Sequence, residues 1–132
     1  MLKISKKSDY GLLLLERLID EKELVPLSKI IEETKSPSRF LAQIATILVK
    51  NEIVESAEGK NGGYRINYKK LQKTNLLDYL SLFETNLSVT ECAQGKKCSY
   101  QNICRHHSFF NKRLNQILLS ELKKYSLLKV LK

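Results

Sequence analysis

The chain has 132 residues, of which 42% are hydrophobic and 28% charged, and its 23 basic and 14 acidic side chains leave a formal net charge of +9. This length suits one ordinary domain, and the balance of apolar and charged residues excludes a disordered chain. No run of about 18 apolar residues occurs, so no helix is expected to span a membrane. The opening Met1-Leu2-Lys3-Ile4-Ser5-Lys6-Lys7 lacks the apolar core and cleavage site of a secretory signal, and a cytoplasmic location is expected. A strongly basic surface attracts polyanions and releases their counterions, which makes nucleic acid the expected partner.

In chain order, Ser8-Asp9 reads as the N-cap of a first helix carrying Leu12, Leu13, Leu14, Leu15, Leu18 and Ile19. Pro26 then opens a short second helix with Leu27, Ile30 and Ile31 at helical spacing, which Thr34-Lys35-Ser36 interrupts. A third helix restarts at Ser36-Pro37, with serine as cap and proline in the first turn. Its inner side is expected to carry Phe40, Leu41, Ile44 and Leu48, and its outer side Ser38, Arg39, Ala42, Gln43 and Thr46. Two short helices joined by a tight turn form a helix-turn-helix, whose second helix enters the DNA major groove by its N-terminal end. Ser38, Arg39 and Gln43 sit at that end and are residue types that hydrogen-bond to phosphates and base edges. Lys3 in the basic lead and Ser36 at the cap join these candidate DNA contacts.

Two strands follow, Ile53 to Ser56 and Tyr64 to Tyr68, the second with Tyr64, Ile66 and Tyr68 alternating with polar residues. The intervening Gly59-Lys60-Asn61-Gly62-Gly63 reads as a hairpin tip, and a hairpin directly after a helix-turn-helix is a wing. Lys60, Asn61 and Gly62 are its candidate DNA contacts. The expected fold class is therefore mainly α with a small β-hairpin, a winged helix-turn-helix over residues 1–73. Residues 74–132 are expected to add a helix from Thr74-Asn75, a polar loop from Asn86 to Cys104 and a long helix from Arg105 to Tyr125. The last carries an apolar stripe of Phe110, Leu114, Ile117, Leu118, Leu122 and Tyr125, placed to pack against a second copy in a homodimer. No nucleophile–base pair or substrate motif points to catalysis, so the chain is not expected to be an enzyme.

All three cysteines, Cys92, Cys98 and Cys104, fall in that polar loop at equal spacing, followed by Arg105-His106-His107. An odd number of cysteines argues against a disulfide framework, and thiolates are the soft ligands of iron–sulfur clusters and zinc. Zinc modules usually pair cysteines more tightly than this. A fourth ligand is required. His107 lies one helical turn past Cys104, and His106 is its neighbouring alternative. Lys96, Lys97 and Arg105 flank the thiols and favour their thiolate forms. A zinc-bound chain and a thiol switch without metal stay open as alternatives to a cluster.

Over nearly its whole length the chain resembles the Rrf-two type bacterial transcriptional regulators. The resemblance rests on the basic lead Leu2 to Tyr10, on Val25-Pro26-Leu27 and on Gly59-Lys60-Asn61-Gly62-Gly63-Tyr64-Arg65. It rests above all on Cys92, Cys98 and Cys104 placed before a long helix and a Ser126-Leu127 tail. It implies a homodimer with crossed C-terminal helices on a double-stranded DNA operator, and an iron–sulfur cluster held by the three cysteines. In IscR-like members of the family the fourth ligand is a histidine matching His107. In NsrR-like members it is an aspartate of the other subunit, matching Asp9. The chain departs from IscR-like members at Ala42, where they carry glutamate, and at Glu58, where they carry arginine.

Overall fold

The computed structural model describes residues 3–90, 92 and 98–132. The first helix, α1 (Lys6–Leu18), starts earlier than expected because Ser5 is its cap, with its side chain accepting from the backbone N–H of Ser8. Ser8 is instead buried inside the first turn, where its hydroxyl donates to the Glu84 carboxylate at 2.7 Å. A partner 76 residues away overrides the local capping preference. Helix α2 (Leu27–Thr34) ends at Lys35, which takes a left-handed conformation (φ 55°) and turns the chain tightly.

Helix α3 (Ser38–Lys50) follows. Pro37 takes the cap position, and its carbonyl accepts from Leu41 N–H at 2.9 Å. Ser36 therefore sits one residue too early to cap the helix. The inner face of α3 is as expected, with Leu41, Ile44 and Leu48 buried alongside Ala45. Against it pack Leu14, Leu15 and Leu18 of α1 and Ile30 of α2, and Tyr10 meets Phe40 edge-on at 5.5 Å.

The wing is an antiparallel pair, β1 (Val54–Ala57) and β2 (Gly63–Ile66), in the register Val54↔Ile66 to Ala57↔Gly63. Val25 and Tyr64 exchange backbone hydrogen bonds of 2.9 and 2.8 Å, which fastens the wing to the segment before α2. That closeness demands Gly63, since its φ is 148° and a Cβ there would collide with the Val25 carbonyl. The alternation in sequence carries the second strand to Tyr68, but β2 ends at Ile66. Asn67 caps a further short helix, α4 (Tyr68–Lys73), by accepting from Lys70 N–H, and the Tyr68 hydroxyl donates to the Ile19 carbonyl instead of flanking a strand.

Asn75 caps α5 (Leu76–Phe83), as expected from its sequence. After the cysteine segment, a continuous helix over residues 107–123 fulfils the expected long C-terminal helix. Its first part is a π-helical turn, Phe109–Leu114, and its second an α-helix, α6 (Asn115–Lys123), which packs on α5. A last helix, α7 (Leu127–Leu131), capped by Ser126, returns to the head, where Leu127 is buried in the main core. Leu76 N–H donates to Tyr125 and Leu127 N–H to Thr74, at 2.8 and 2.7 Å, so residues 75 and 126 form a bridge. The core thus draws on Tyr79, Leu80 and Leu127 as well as on the first 71 residues. Among the described residues no helix is long and apolar enough to cross a membrane.

Candidate DNA interface and cysteine segment

Ser38, Arg39 and Gln43 are exposed on the N-terminal half of α3, where burial of Leu41, Ile44 and Leu48 turns them outward. Ser36 behaves differently. It is only 5% exposed, and its hydroxyl has no hydrogen-bond partner. At the wing tip Gly62 N–H donates to Gly59 O at 3.0 Å, closing a turn that leaves Lys60 and Asn61 exposed and Gly62 half-buried. Lys3 is exposed beside Lys6 and Lys7 at the start of α1. Glu55 and Arg65 pair across the wing at 3.0 Å. Arg17 of α1 bonds to Glu33 of α2 and to Glu21, and these carboxylates push the guanidinium pKa further up.

The link between this head and the cysteine segment is Glu84. Its Oε1 accepts from Ser5 N–H at 2.8 Å and from the Ser8 hydroxyl, at the positive end of α1. Burial pushes the Glu84 pKa up, but the bonds from Ser5 and Ser8 outweigh it and hold the carboxyl below its usual range. One turn earlier the buried Tyr79 hydroxyl donates to Ser8 O at 2.6 Å, and burial raises its pKa. Gly11 makes room for that hydroxyl, which a Cβ would strike.

The three cysteines form no disulfide. Cys92 is half-buried, and its Sγ lies 3.4 Å from Asn111 Oδ1 and 3.1 Å from Thr90 Oγ1. Cys98 is exposed and accepts from Tyr100 N–H at 3.4 Å. Cys104 Sγ and His106 Nε2 are 3.5 Å apart. His107 Nδ1 lies 3.3 Å from Cys104 O, within hydrogen-bond reach of that carbonyl. A backbone carbonyl beside one ring nitrogen is a common orienting partner of metal-ligating histidines. Asp9 is exposed in the first turn of α1.

Among the described residues no three such donors converge on one point. Lys96 and Lys97 lie outside the described residues. The donor set, three thiols in a polar segment with histidines beside the last of them, suits an iron–sulfur cluster chemically. Sequence reasoning missed Asn111 and Thr90, whose contact with Cys92 carries no local signature.

A helix-turn-helix with an exposed reading helix, followed by a glycine-tipped hairpin, defines a winged-helix DNA-binding protein. A family model described as "Iron-dependent Transcriptional regulator", Rrf2, matches residues 4–132, and the chain belongs to this family. It is a DNA-binding transcriptional regulator and not an enzyme. It is similar to the "HTH-type transcriptional regulator NsrR" of Bacillus licheniformis, with 28% identity over 89% of this chain and 84% of that protein. Its fold is similar to that of CymR, the global cysteine regulator of B. subtilis, with a TM-score of 0.74 and 21% identity over 99% of this chain and 97% of that one. It is also similar to T. potens IscR, with a TM-score of 0.70 and 22% identity over 98% and 86%.

Proposed function

We propose that this chain is a cytoplasmic, homodimeric, sequence-specific regulator whose DNA affinity is set by an iron–sulfur cluster on Cys92, Cys98, Cys104 and His107. Residues 1–73 read DNA in this account, and residues 74–132 hold the cluster and the partner subunit. The observation that supports it is Cys92, tied to the C-terminal helix through Asn111, on a stretch of chain that leaves the head at Glu84, itself bonded to α1. When bound, such a cluster supplies a site that responds to iron supply, oxidants or nitric oxide. The chain's own residues do the rest. Ligation at Cys92 would be felt by the dimer helix through Asn111, and by α1 through the chain running back to Glu84. Half-sites on one DNA face lie about 34 Å apart, so a small change in head spacing is costly. Lys3 and Lys60 would contact the backbone, with Asn61 and Gly62 close to it, while Arg39 with Ser38 and Gln43 would read base edges; the buried Ser36 hydroxyl is not placed to join them.

Anaerobic purification tests this reading. The expected protein absorbs between about 350 and 450 nm and holds iron and sulfide, and Cys98→Ala loses that absorbance. Unchanged iron in Cys98→Ala would remove this residue from the ligand set. A colourless chain containing zinc, or one whose DNA binding follows thiol oxidation alone, would replace the cluster by a zinc-bound or thiol-switched repressor. Arg39→Ala is expected to weaken operator binding by about 1–3 kcal/mol and relax specificity at one base pair. A uniform loss like that of a distant lysine would reassign it to the backbone.

A further inference from the structure

Two asparagines four residues apart, Asn111 inside the π-helical turn and Asn115 just beyond it, reach the same short stretch of chain. Asn115 Oδ1 accepts from Val89 N–H at 3.2 Å. Asn111 Oδ1 accepts from the Thr90 hydroxyl at 2.9 Å and from Cys92 Sγ at 3.4 Å. The stretch also folds on itself, since the buried Ser88 donates to Asn86 and lies 3.1 Å from Thr90 O. Val89, Thr90 and Cys92 are half-buried, and hydrogen bonds from all three tie this stretch to the helix. The sulfurs of Cys98 and Cys104 make no hydrogen bond to a side chain of that helix among the described residues; Cys104 meets it only through its carbonyl, beside His107 Nδ1. A π turn inside an α-helix sacrifices hydrogen-bond geometry and frequently marks a functional position. Here it presents the side chain that meets Cys92.

We infer that Asn111 is a positioning residue for Cys92, clamping that sulfur and Thr90 onto the C-terminal helix while Asn115 anchors the backbone before them. The assignment of Cys92 as a cluster ligand rests on the function proposed above, whereas the clamp itself does not need it. A carboxamide suits the task because it offers an acceptor and two donors on one short stem. Ligating groups are commonly oriented by such neighbours, and their loss alters metal affinity.

The test uses the full chain in two measurements. In metal-free protein, alkylation by iodoacetamide is followed at each cysteine by mass spectrometry. Asn111→Ala is expected to speed labelling of Cys92 roughly two- to tenfold, the equivalent of one lost hydrogen bond, and to leave Cys98 unchanged. Asn111→Asp, which keeps the acceptor oxygen, should keep Cys92 slow, and Asn115→Ala should have the smaller effect. Asn111→Leu, of similar size, replaces the alanine variant if circular dichroism shows that the latter does not fold. Equal labelling of Cys92 in every variant overturns the proposal. After anaerobic reconstitution, the Asn111→Ala chain should shift the visible spectrum and lower iron occupancy. A wild-type chain that takes up no iron while Asn111→Ala still exposes Cys92 supports the clamp and refutes the cluster.

Discussion

The head and the C-terminal arm are built on opposite principles. From Leu14 to Leu80 the chain supplies sixteen of the seventeen buried core residues, and each helix of the head hides at least one side. Among the described residues from Val89 to Ser126 none is buried, although Phe109, Ile117 and Tyr125 are large and apolar or aromatic. Exposed apolar side chains at these positions suit a surface that a second copy of the chain would cover.

The sharpest way to break this contrast is Ile117→Glu, at a position 56% exposed in the single subunit. A carboxylate set into an apolar interface should weaken dimerisation by roughly a hundredfold or more, and sedimentation at several concentrations reads it. The subunit should stay folded, changing by no more than about 0.5 kcal/mol. A dimer that persists would place the interface elsewhere. Next in size is Gly11→Ala in the head. The added methyl improves helix propensity by up to about 1 kcal/mol but displaces the buried Tyr79 hydroxyl from Ser8, and a net loss of about 1–3 kcal/mol is expected in urea unfolding.

The smallest effect sharpens the comparison at the junction of the two regions. Glu84→Gln exchanges a carboxylate for an amide at the start of α1, and the loss at neutral pH should be about 1 kcal/mol, since the group is partly exposed. The Glu84 pKa is lowered in the folded chain, chiefly by bonds from Ser5 and Ser8 that exceed the opposing effect of burial. Its contribution is therefore present above the ordinary glutamate range and is lost as pH falls through the depressed folded value. The wild-type chain should lose stability in acid more steeply than Glu84→Gln. Parallel curves would mean that Glu84 contributes nothing as an anion.

Much of the head was legible in the sequence because its signals are local. The periodicity of Leu41, Ile44 and Leu48, the glycine tip of the wing and the Asn75 cap each act within a few residues. Where reading failed, a distant or competing partner decided. Ser8 has a good capping side chain, yet Glu84 claims it from the far side of the fold. Tyr68 continues the alternation of a strand, but Asn67 immediately before it caps a helix. The cysteine segment was visible as composition, with His106 and His107 directly after it. Its anchoring was invisible, because the bond between Cys92 and Asn111 spans 19 residues and depends on a π turn that no simple periodicity encodes.

The bridge between residues 75 and 126, with Leu127 seated among the core side chains, has a mechanical consequence. The arm leaves the head after Phe83 and comes back beside the start of the same helix, so it is a handle riveted at two feet and not a tail hanging from one. A handle cannot swing freely. A tug on its grip reaches the body of the molecule through both rivets at once, and a single backbone cut between Cys98 and Cys104 would leave the two pieces still held together.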